Sequence, residues 1–582
     1  MDSTDIPSTI PVNENIVNDK PVCIHWFRHG LRLHDNPALL DAVEDCGELY
    51  PIFIFDGEVA GTRTAGYNRM RFLLESLHDL DDHFSNEGGR LFVFTGNVLT
   101  TLSNLFKEWS VSKLTFDADV EAIWHERDTQ VRRLCEKYNV ECVEKVSHVL
   151  WDPEEILKNN GGTPPLTYSL FNLVATAVGD PPRPVDAPDL SKVTFNVKSD
   201  HEKLFGIPDS ASLGVFAESE EQNQRFNIWT GGESKALELF QYRMKVEEMA
   251  FSCGNVMPNQ AFPNIAGPPL SMSAHLRFGC LSIRKLYWGL RDAYLKLNPG
   301  KAFTVSAIGQ LMWREYFYMM SVNNKNYDKM ESNPICLNIP WYEDKEKLRR
   351  WEQGETGYPW IDAIMKQLKN EGWIHHVCRH ATSTFLTRGD LGLSWEDGLK
   401  VFDKYLIDAD WSVNAGNWMW MSSSAFEKVL QCPKCFCPVR YGRKMDSNGV
   451  YVRRYLPVLK DMPIRYLFEP WKAPRSVQEK AGCIIGVDYP EPMVDHRKAS
   501  KDCYNMMSEV KMKLAASGKE LEHCGPANSD EVSKFVWLPG THKGNCSSGN
   551  EELSEAILCD GLMGMSPQMK RGPGRCGGDD SN

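Results

Sequence analysis

The densest group of side chains that could do chemistry lies between residues 309 and 420. One predicted helix face carries two polar donors and two aromatic rings: Gln310, Trp313, Arg314 and Phe317. Downstream come histidines, charged residues, an amide and tryptophans: His375, His376, Arg379, His380, Asp408, Asp410, Asn414, Trp418 and Trp420. A polar interior surrounded by tryptophans suits a large aromatic redox cofactor such as a flavin, whose ring nitrogens need hydrogen-bond partners.

Each of these groups also has a plainer interpretation. His376 and His380 have the i, i+4 spacing of metal ligands, but the chain offers no H-E-x-x-H arrangement and no obvious third ligand. Asp408 and Asp410 resemble paired catalytic carboxylates, yet Arg379 can pair with one of them, and buried charges are normally paired. We therefore predict an ion pair. Three closely spaced cysteines resemble half of a zinc site: Cys432, Cys435 and Cys437. No second group of ligands with matching spacing follows them, so we interpret them as ordinary thiols.

The elements that must position these residues form two different halves. In the first half, apolar or β-branched runs at 22–27, 49–55, 91–94, 113–116 and 141–146 alternate with helical patterns at 68–84, 99–109 and 126–138. This alternation predicts an α/β domain with a doubly wound parallel sheet. Because no G-x-G-x-x-G follows any of these strands, we expect the cofactor in the second half, which is dominated by helical spacing and is predicted to be all-α.

Composition shifts predict the domain boundaries. We expect a disordered extension over 1–20, the α/β domain over 21–150, a proline-rich connector over 151–228, the helical cofactor domain over 229–505 and a flexible polar tail over 506–582. An apolar island at 529–538 interrupts the tail, and we predict that it docks on the globular body or on a partner through Phe535, Val536 and Trp537.

The overall composition excludes several classes of protein. No apolar run approaches the length of about 18 residues that crosses a bilayer, and the first 20 residues lack the apolar core of a signal peptide, so we expect neither. The 17 cysteines are interpreted as reduced thiols. A net charge of -13 argues against a constitutive nucleic-acid coat.

Several motifs in register along the chain carry a resemblance to a known family. HWFRHGLRLHDNP at 25–37, SAHLRFGCLS at 273–282, WREYF at 313–317 and DADWS at 408–412 resemble the photolyase/cryptochrome family over roughly residues 21 to 500. IFDGE at 54–58, GYNRMRF at 66–72 and FVWL at 535–538 are similar to the light-sensing, insect-type animal cryptochromes. The resemblance implies a blue-light receptor that resets the circadian clock.

The same resemblance implies a cofactor and its site. It places non-covalently bound flavin adenine dinucleotide (FAD) in the helical domain, with Ser273 at the phosphates, Arg379 paired with Asp408 beside the ring, and Asn414 facing the reactive ring nitrogen. The other implied cofactor residues are Gln310, Arg314, His376 and Asp410. The family's electron path corresponds to Trp418, Trp395 and Trp341. Whether an antenna chromophore is bound stays open.

The receptor function implies partners and a location. Light would reduce the flavin and release the docked tail segment, which exposes a surface for Timeless-like or Period-like clock proteins and for ubiquitin ligase components. We expect the protein in the cytoplasm and the nucleus, with no membrane association and with DNA binding only secondary.

Two other functions stay open at this stage. A six-four DNA photolyase would use His376 and His380 as catalytic histidines, together with a basic rim formed by Arg440, Arg443, Lys444, Arg453 and Arg454. A light-independent transcriptional repressor, as in vertebrate-type cryptochromes, would act through protein contacts alone. Three positions depart from the pattern of the light-sensing members: Asn414 replaces a frequent cysteine, Gly392 replaces the fourth tryptophan, and Thr230 replaces an arginine often found near the phosphates.

Overall fold

The structure is a computed structural model of the chain. It describes residues 21–44, 46–57, 65–219, 222, 229–252, 265, 270–303, 305–426 and 437–516. The predicted extension over 1–20, the tail segment 529–538 with Phe535, Val536 and Trp537, and the thiols Cys432 and Cys435 lie outside the described residues.

A five-stranded parallel sheet forms the first domain. Its strands are β1 (Val22–Phe27), β2 (Glu48–Phe55), β3 (Phe92–Thr95), β4 (Lys113–Asp117) and β5 (Glu141–Lys145), in the spatial order β3-β2-β1-β4-β5. Helices cover both faces, which is why β1 and β2 are almost continuously apolar and buried. The α/β prediction is confirmed, and each predicted strand boundary lies within one residue of the observed one.

The helices of this domain and of the connector include several that the sequence patterns did not predict. They are α1 (Pro37–Glu44), α2 (Tyr67–Asn86), α3 (Val98–Glu108), α4 (His125–Tyr138), α5 (Pro153–Asn159), α6 (Tyr168–Val178) and α7 (His201–Phe205). The Asn36 side chain accepts a hydrogen bond from the Leu39 amide across 3.0 Å, and Pro37 follows it as the first helical residue. This Asn-Pro start is the local signal for α1. The connector carries α5 to α7 and buries Phe171, so it is more ordered than its prolines suggested.

The second domain is helical, as predicted. Its helices are α8 (Glu233–Ser252), α9 (Ser273–Arg277), α10 (Ile283–Leu297), α11 (Val305–Ser321), α12 (Lys345–Gln353), α13 (Pro359–Glu371), α14 (His376–Thr384), α15 (Trp395–Tyr405), α16 (Trp411–Met421), α17 (Pro438–Met445), α18 (Val450–Tyr455), α19 (Ile464–Leu467), α20 (Arg475–Lys480) and α21 (His496–Ala516). A short π-helical turn over Phe385–Gly389 extends α14. Within the described ranges, no helix combines the length and the apolarity that crossing a membrane requires.

Two of the sequence motifs meet where the domains join. The Gly30 and Leu31 amides donate to the Phe278 carbonyl across 3.2 and 3.1 Å. Gly279 has φ +66°, and a Cβ there would lie 2.2 Å from the Gly30 nitrogen, so only glycine fits this contact. A buried, bidentate ion pair between Asp35 and Arg284 completes the junction. Arg284 donates from Nη2 to Asp35 Oδ1 across 2.7 Å and from Nε to Asp35 Oδ2 across 2.9 Å.

The last described helix, α21, extends beyond the predicted domain boundary at residue 505. It continues to Ala516, and it buries Cys503, Met506 and Met507. The two methionines pack against Leu337 and Ile339. This apolar stripe at helical spacing keeps the first part of the predicted tail on the globular body.

Candidate functional site

An ion pair between Arg379 and Asp408 lies at the centre of the candidate site. Arg379, on α14, donates from Nη2 to Asp408 Oδ2 across 2.8 Å and from Nε to the Ile374 carbonyl across 2.9 Å. The Asp408 side chain is 4% exposed, and its Oδ1 is buried without a hydrogen-bond partner among the described residues. The predicted ion pair is therefore confirmed. A buried carboxylate oxygen without a donor is costly, so this atom marks a place for a ligand donor.

A glycine holds the two segments of this pair together. The Ile407 amide donates to the Gly372 carbonyl across 2.8 Å, directly before Asp408. Gly372 has φ +72°, and a Cβ there would lie 2.7 Å from the Ile407 side chain and 2.9 Å from Asn68 Cβ. The close approach of these backbones, and hence the position of Asp408, requires glycine at this residue.

Three neutral histidines surround the start of α14. His375 caps the helix by accepting from the Val377 amide across 3.2 Å, and its ring centroid lies 4.3 Å from that of His376. Burial holds the pKa of His376 well below its usual value, and His375, His380 and Arg379 add to the effect. Burial also lowers the pKa of His375 to about 4 and that of His380 to about 3. These imidazole rings are uncharged at neutral pH, so each can donate a hydrogen bond from one ring nitrogen and accept one at the other.

Asn414 lies one turn before Trp418 on the same face of α16. Its amide Nδ2 donates to Asp403 Oδ1 on α15 across 2.6 Å. Burial raises the pKa of Asp403 to about 6, although the nearby Arg69 guanidinium opposes this rise. Arg69 reaches the same place from the first domain, since it donates to the Asp403 and Ala409 carbonyls across 2.8 and 2.6 Å.

The structure places Arg314 and Asp410 in a second network, at the junction of the two domains. Asp410 caps α16 by accepting from the Val413 amide across 2.6 Å, and it accepts from the Tyr318 hydroxyl across 3.2 Å. Arg314 donates to the His148 carbonyl across 2.8 Å and to its neighbour Glu315 across 2.7 Å. Both side chains thus bind protein partners, and their assignment to the cofactor stays a prediction.

Ser273 and Gln310 differ in how they relate to the Arg379–Asp408 pair. Ser273 Oγ accepts from the Trp373 indole across 3.2 Å, which links it to the segment that carries His375 and His376. It also lies 2.9 Å from Ser271 Oγ, so two hydroxyl groups stand at the start of α9. Gln310 is exposed among the described residues. Ser273 therefore joins the site by a direct contact, whereas the role of Gln310 stays a prediction.

The three predicted electron-transfer tryptophans lie on adjoining segments. Trp418 is 2% exposed, and its ring packs against Gly398 on α15. Gly398 lies one turn after Trp395, which is fully buried. Trp341 is half-buried and is followed by Tyr342, whose amide donates to the Gly392 carbonyl across 2.8 Å. This hydrogen bond joins the Trp341 segment to the segment that precedes Trp395. The order from inside to outside is consistent with the predicted path.

Two residues of the site were missed by the sequence analysis, Asp403 and Glu121. Glu121 extends from the first domain to the start of α16, where its Oε1 accepts from the Ser412 amide and hydroxyl across 2.9 and 2.7 Å. Burial, together with Asp119 and Asp410, raises the pKa of Glu121 to about 7. Its position depends on a contact between residues far apart in the chain, so no local spacing could have indicated it.

The chain is similar to known proteins over both of its domains. The model of the FAD binding domain of DNA photolyase matches residues 307–509, and the DNA photolyase model matches residues 23–189. Cryptochrome-1 of Aedes aegypti is 50% identical over 90% of this chain and 99% of its own length, and Cryptochrome-1 of Drosophila melanogaster is 48% identical over 88% and 97%. The crystal structure of a class III photolyase from Agrobacterium tumefaciens superposes with a TM-score of 0.71 at 26% identity, covering 88% of this chain and all of that one.

Proposed function

The chain belongs to the photolyase and cryptochrome family, binds FAD in its helical domain, and, we propose, acts as a blue-light receptor that entrains the circadian clock. The observation that carries the proposal is the Arg379–Asp408 ion pair, because Asp408 Oδ1 has no hydrogen-bond partner among the described residues and Arg379 shares its helix with the neutral His376 and His380. The similarity to the insect cryptochromes supports the same function.

The residues around Asp408 fit this cofactor. FAD, when bound, supplies blue-light absorption and an electron-accepting ring. Asp408 would accept a ring N–H through Oδ1, since that oxygen is buried and has no donor in the described part of the chain. Arg379 would hold Asp408 in place and stabilise the negative charge that arrives with an electron. His376, kept neutral by burial, would contribute a hydrogen bond without a competing charge.

The tryptophans would supply the electron in succession. Trp418 would give an electron first, Trp395 would refill Trp418, and Trp341 would refill Trp395. Indole is among the few side chains that an excited flavin can oxidise. Because Trp341 is the half-buried member of the three, the oxidised site would finish near the protein surface, away from the charge at Arg379.

The output would be a two-state change in the tail. We expect the segment 529–538 to dock in the dark through Phe535, Val536 and Trp537. New charge beside Arg379 and His376 would weaken that docking, as in other switches biased by local electrostatics. The exposed surface would then bind Timeless-like or Period-like clock proteins and ubiquitin ligase components, in the cytoplasm and the nucleus.

Limited proteolysis tests this proposal directly. Purified protein with FAD bound is digested in darkness and under blue light, and cuts near Phe535 are mapped, because released segments are cleaved faster than docked ones. Faster cutting in light by the wild type, but not by Trp418→Phe, supports the receptor. Identical cutting in both conditions with reduced FAD present contradicts it, and repression of clock transcription factors in a dark reporter assay would then favour the light-independent repressor.

DNA repair is the second candidate, because the solved photolyase shares this fold. A histidine that protonates a lesion needs a proton near neutral pH, whereas burial lowers the pKa of His380 to about 3 and that of His376 well below its usual value. The basic rim is also partly neutralised, since Arg443 pairs with Glu469 at 2.8 Å and Arg454 lies 3.6 Å from Glu371. Both observations favour the receptor, and restoration of damaged oligonucleotides by illuminated protein would reverse that preference.

A further inference from the structure

One stretch of the helical domain is basic in a chain that is acidic overall. Residues 438–480 include ten lysines and arginines but four aspartates and glutamates, although the whole chain has a net charge of -13. These residues form α17, α18, α19 and α20. A local excess of positive charge on an acidic protein attracts an anionic partner.

Contacts between α17, α18 and α19 bring the basic residues of this stretch onto one surface. The Arg443 guanidinium donates to the Arg465 carbonyl across 3.3 Å, and the Arg453 guanidinium donates to the Lys460 carbonyl across 3.0 Å. Lys444, Lys460 and Arg465 are exposed, and none of these three forms an ion pair within the described ranges. Three cations on this surface therefore lack a carboxylate partner in that part of the chain.

The acidic residues nearby leave this positive charge largely unbalanced. Asp446 is buried, and it accepts from two backbone amides at the start of α18 across 3.1 and 2.9 Å. Glu469 pairs with Arg443 at 2.8 Å and also with Lys472. Asp461 is exposed beside Lys460, but it carries one charge against three.

Exposed aliphatic side chains adjoin the unpaired cations. Val450 is 58% exposed and Ile464 is 44% exposed. Ile464 Cδ1 lies 3.1 Å from the place that a Cβ on Gly449 would take, so Ile464 packs beside the segment that carries Val450. We call the resulting surface the basic face, and it consists of Lys444, Val450, Lys460, Ile464 and Arg465. A surface that combines cations with aliphatic groups fits an amphipathic acidic segment.

The chain itself contains a segment of matching chemistry. Residues 544–569 include no lysine or arginine but four acidic residues: Glu551, Glu552, Glu555 and Asp560. The spacing also predicts a helix of about 16 Å with two carboxylates and two leucines along one side: Glu551, Glu555, Leu558 and Leu562. This segment lies outside the described residues, beyond the end of α21 at Ala516.

We propose that the segment 551–562 docks on the basic face of its own chain. Its carboxylates pair with the cations, and its leucines cover the exposed aliphatic side chains. Exposed ion pairs are individually weak, so the apolar contact is needed for stable docking. Thirty-four residues separate Ala516 from Glu551, enough to reach on the order of 100 Å when extended, and the tether raises the effective concentration of the segment. Because this docking depends on charge and apolar contact alone, it is independent of the proposed light response.

Carbodiimide cross-linking of the full chain tests the docking directly. The reagent joins a carboxylate to a lysine that touches it and adds no spacer, and mass spectrometry identifies the joined residues. We expect cross-links within single molecules from the glutamates of the segment to Lys444 or Lys460. Their yield should fall at least about fivefold when the NaCl concentration is raised from about 0.05 to 0.5 M, because salt screens exposed charges.

A charge reversal with a matched control separates docking from random encounters. Arg465→Glu should lower the yield at Lys444 and Lys460 by at least about fivefold, because it places a like charge opposite the carboxylates. Lys245→Glu makes the same change on α8, where Lys245 is exposed and forms no ion pair among the residues that the structure describes, and should leave the yield unchanged. Cross-links absent from the wild type at low salt, or present only between two molecules, would overturn the proposal.

Binding of an undamaged DNA duplex tests the competing occupant of the basic face. Changing Glu551, Glu552 and Glu555 together to glutamine should tighten duplex binding by at least about threefold, because the segment no longer competes. The gain should disappear in an Arg465→Glu background, which separates competition from the change in net charge. If the duplex binds the wild type and the triple variant equally, and Arg465→Glu weakens both, the face belongs to nucleic acid and the proposal is overturned.

Discussion

Asn414 donates its amide hydrogen to Asp403 across 2.6 Å, and this contact joins the helix that carries Trp418 to the helix that begins at Trp395. The two innermost tryptophans of the proposed path are thereby held by a polar contact beside the cofactor residues. Arg69 adds a tie from the first domain by donating to the Asp403 carbonyl. Changes at Asp403 should therefore reveal both the electrostatics and the rigidity of the site.

Asp403→Asn should change the dependence of stability on pH. Burial raises the pKa of Asp403 from 3.8 to about 6. Between these two pH values the folded protein holds a proton that the unfolded chain has lost, so the free energy of unfolding falls as the pH rises through this range. The variant does not lose stability in this pH range, because its amide does not ionise. Its side-chain oxygen can still accept the hydrogen bond from the Asn414 amide. Above pH 6 the variant should gain at most about 3 kcal/mol relative to the wild type, reduced by the loss of the Arg69 attraction.

Denaturant unfolding at pH 4 and pH 7 measures this difference. The gap between Asp403→Asn and the wild type should be small at pH 4 and large at pH 7. Parallel stability curves for the two proteins would show that Asp403 does not titrate in this range.

Asp408→Asn should weaken both folding and FAD retention. The substitution removes the negative charge opposite Arg379, whose side chain is 26% exposed, and leaves only a neutral acceptor for its guanidinium, so we expect a cost of about 1.5–3 kcal/mol. The flavin-to-protein absorbance ratio after gel filtration and the thermal midpoint should both fall. Asp397→Asn is the matched control, because Asp397 pairs with the exposed Lys400 and should change stability by less than about 1 kcal/mol. Full flavin retention in Asp408→Asn would remove Asp408 from the cofactor site.

How much of this site could be predicted depended on the range of the contacts involved. That Arg379 pairs with either Asp408 or Asp410 followed from the chemistry of buried charges, and the family resemblance implied Asp408. The five strands followed from apolar runs covered on both faces. The positions of Arg314 and Asp410 did not follow. Arg314 donates to the His148 carbonyl of the first domain, and the His148 ring bonds to Tyr318, which in turn donates to Asp410, so this network depends on a contact between domains. Periodicity describes one element at a time, and it does not show which elements touch.

The tail boundary shows the same limitation within a single element. Residues after 505 were assigned to the tail because the surrounding composition is polar. Met506 and Met507 nevertheless fill a cluster with Leu337 and Ile339, so the helix continues to Ala516. An apolar stripe at helical spacing was present in the sequence, but its packing surface lies more than 150 residues away.

Trp418→Phe should abolish most photoreduction, whereas Trp351→Phe should not. Both indoles are buried and their rings lie 6.3 Å apart, but Trp351 donates to the Thr382 carbonyl across 3.2 Å and lies outside the proposed path. Both substitutions remove similar volume, so their effects on packing should be alike. Under blue light with an external donor, the rate of flavin reduction should drop by at least about tenfold in Trp418→Phe only. Equal losses in the two variants would indicate a packing effect instead of electron transfer.

Gly392→Ala should destabilise the protein through two separable effects. Gly392 has φ +64°, where a side chain costs about 1–2 kcal/mol, and a Cβ there would lie 2.6 Å from the Tyr342 ring. Gly482 has nearly the same φ, +63°, with open space around its Cα, so Gly482→Ala isolates the backbone cost. The excess cost of Gly392→Ala over Gly482→Ala, measured by chemical denaturation, should disappear in a Tyr342→Ala background. Gly392→Trp should cost more than Gly392→Ala for the same reason, because its indole must displace the Tyr342 ring. An excess that persists without the Tyr342 ring would show that some other neighbour limits this position.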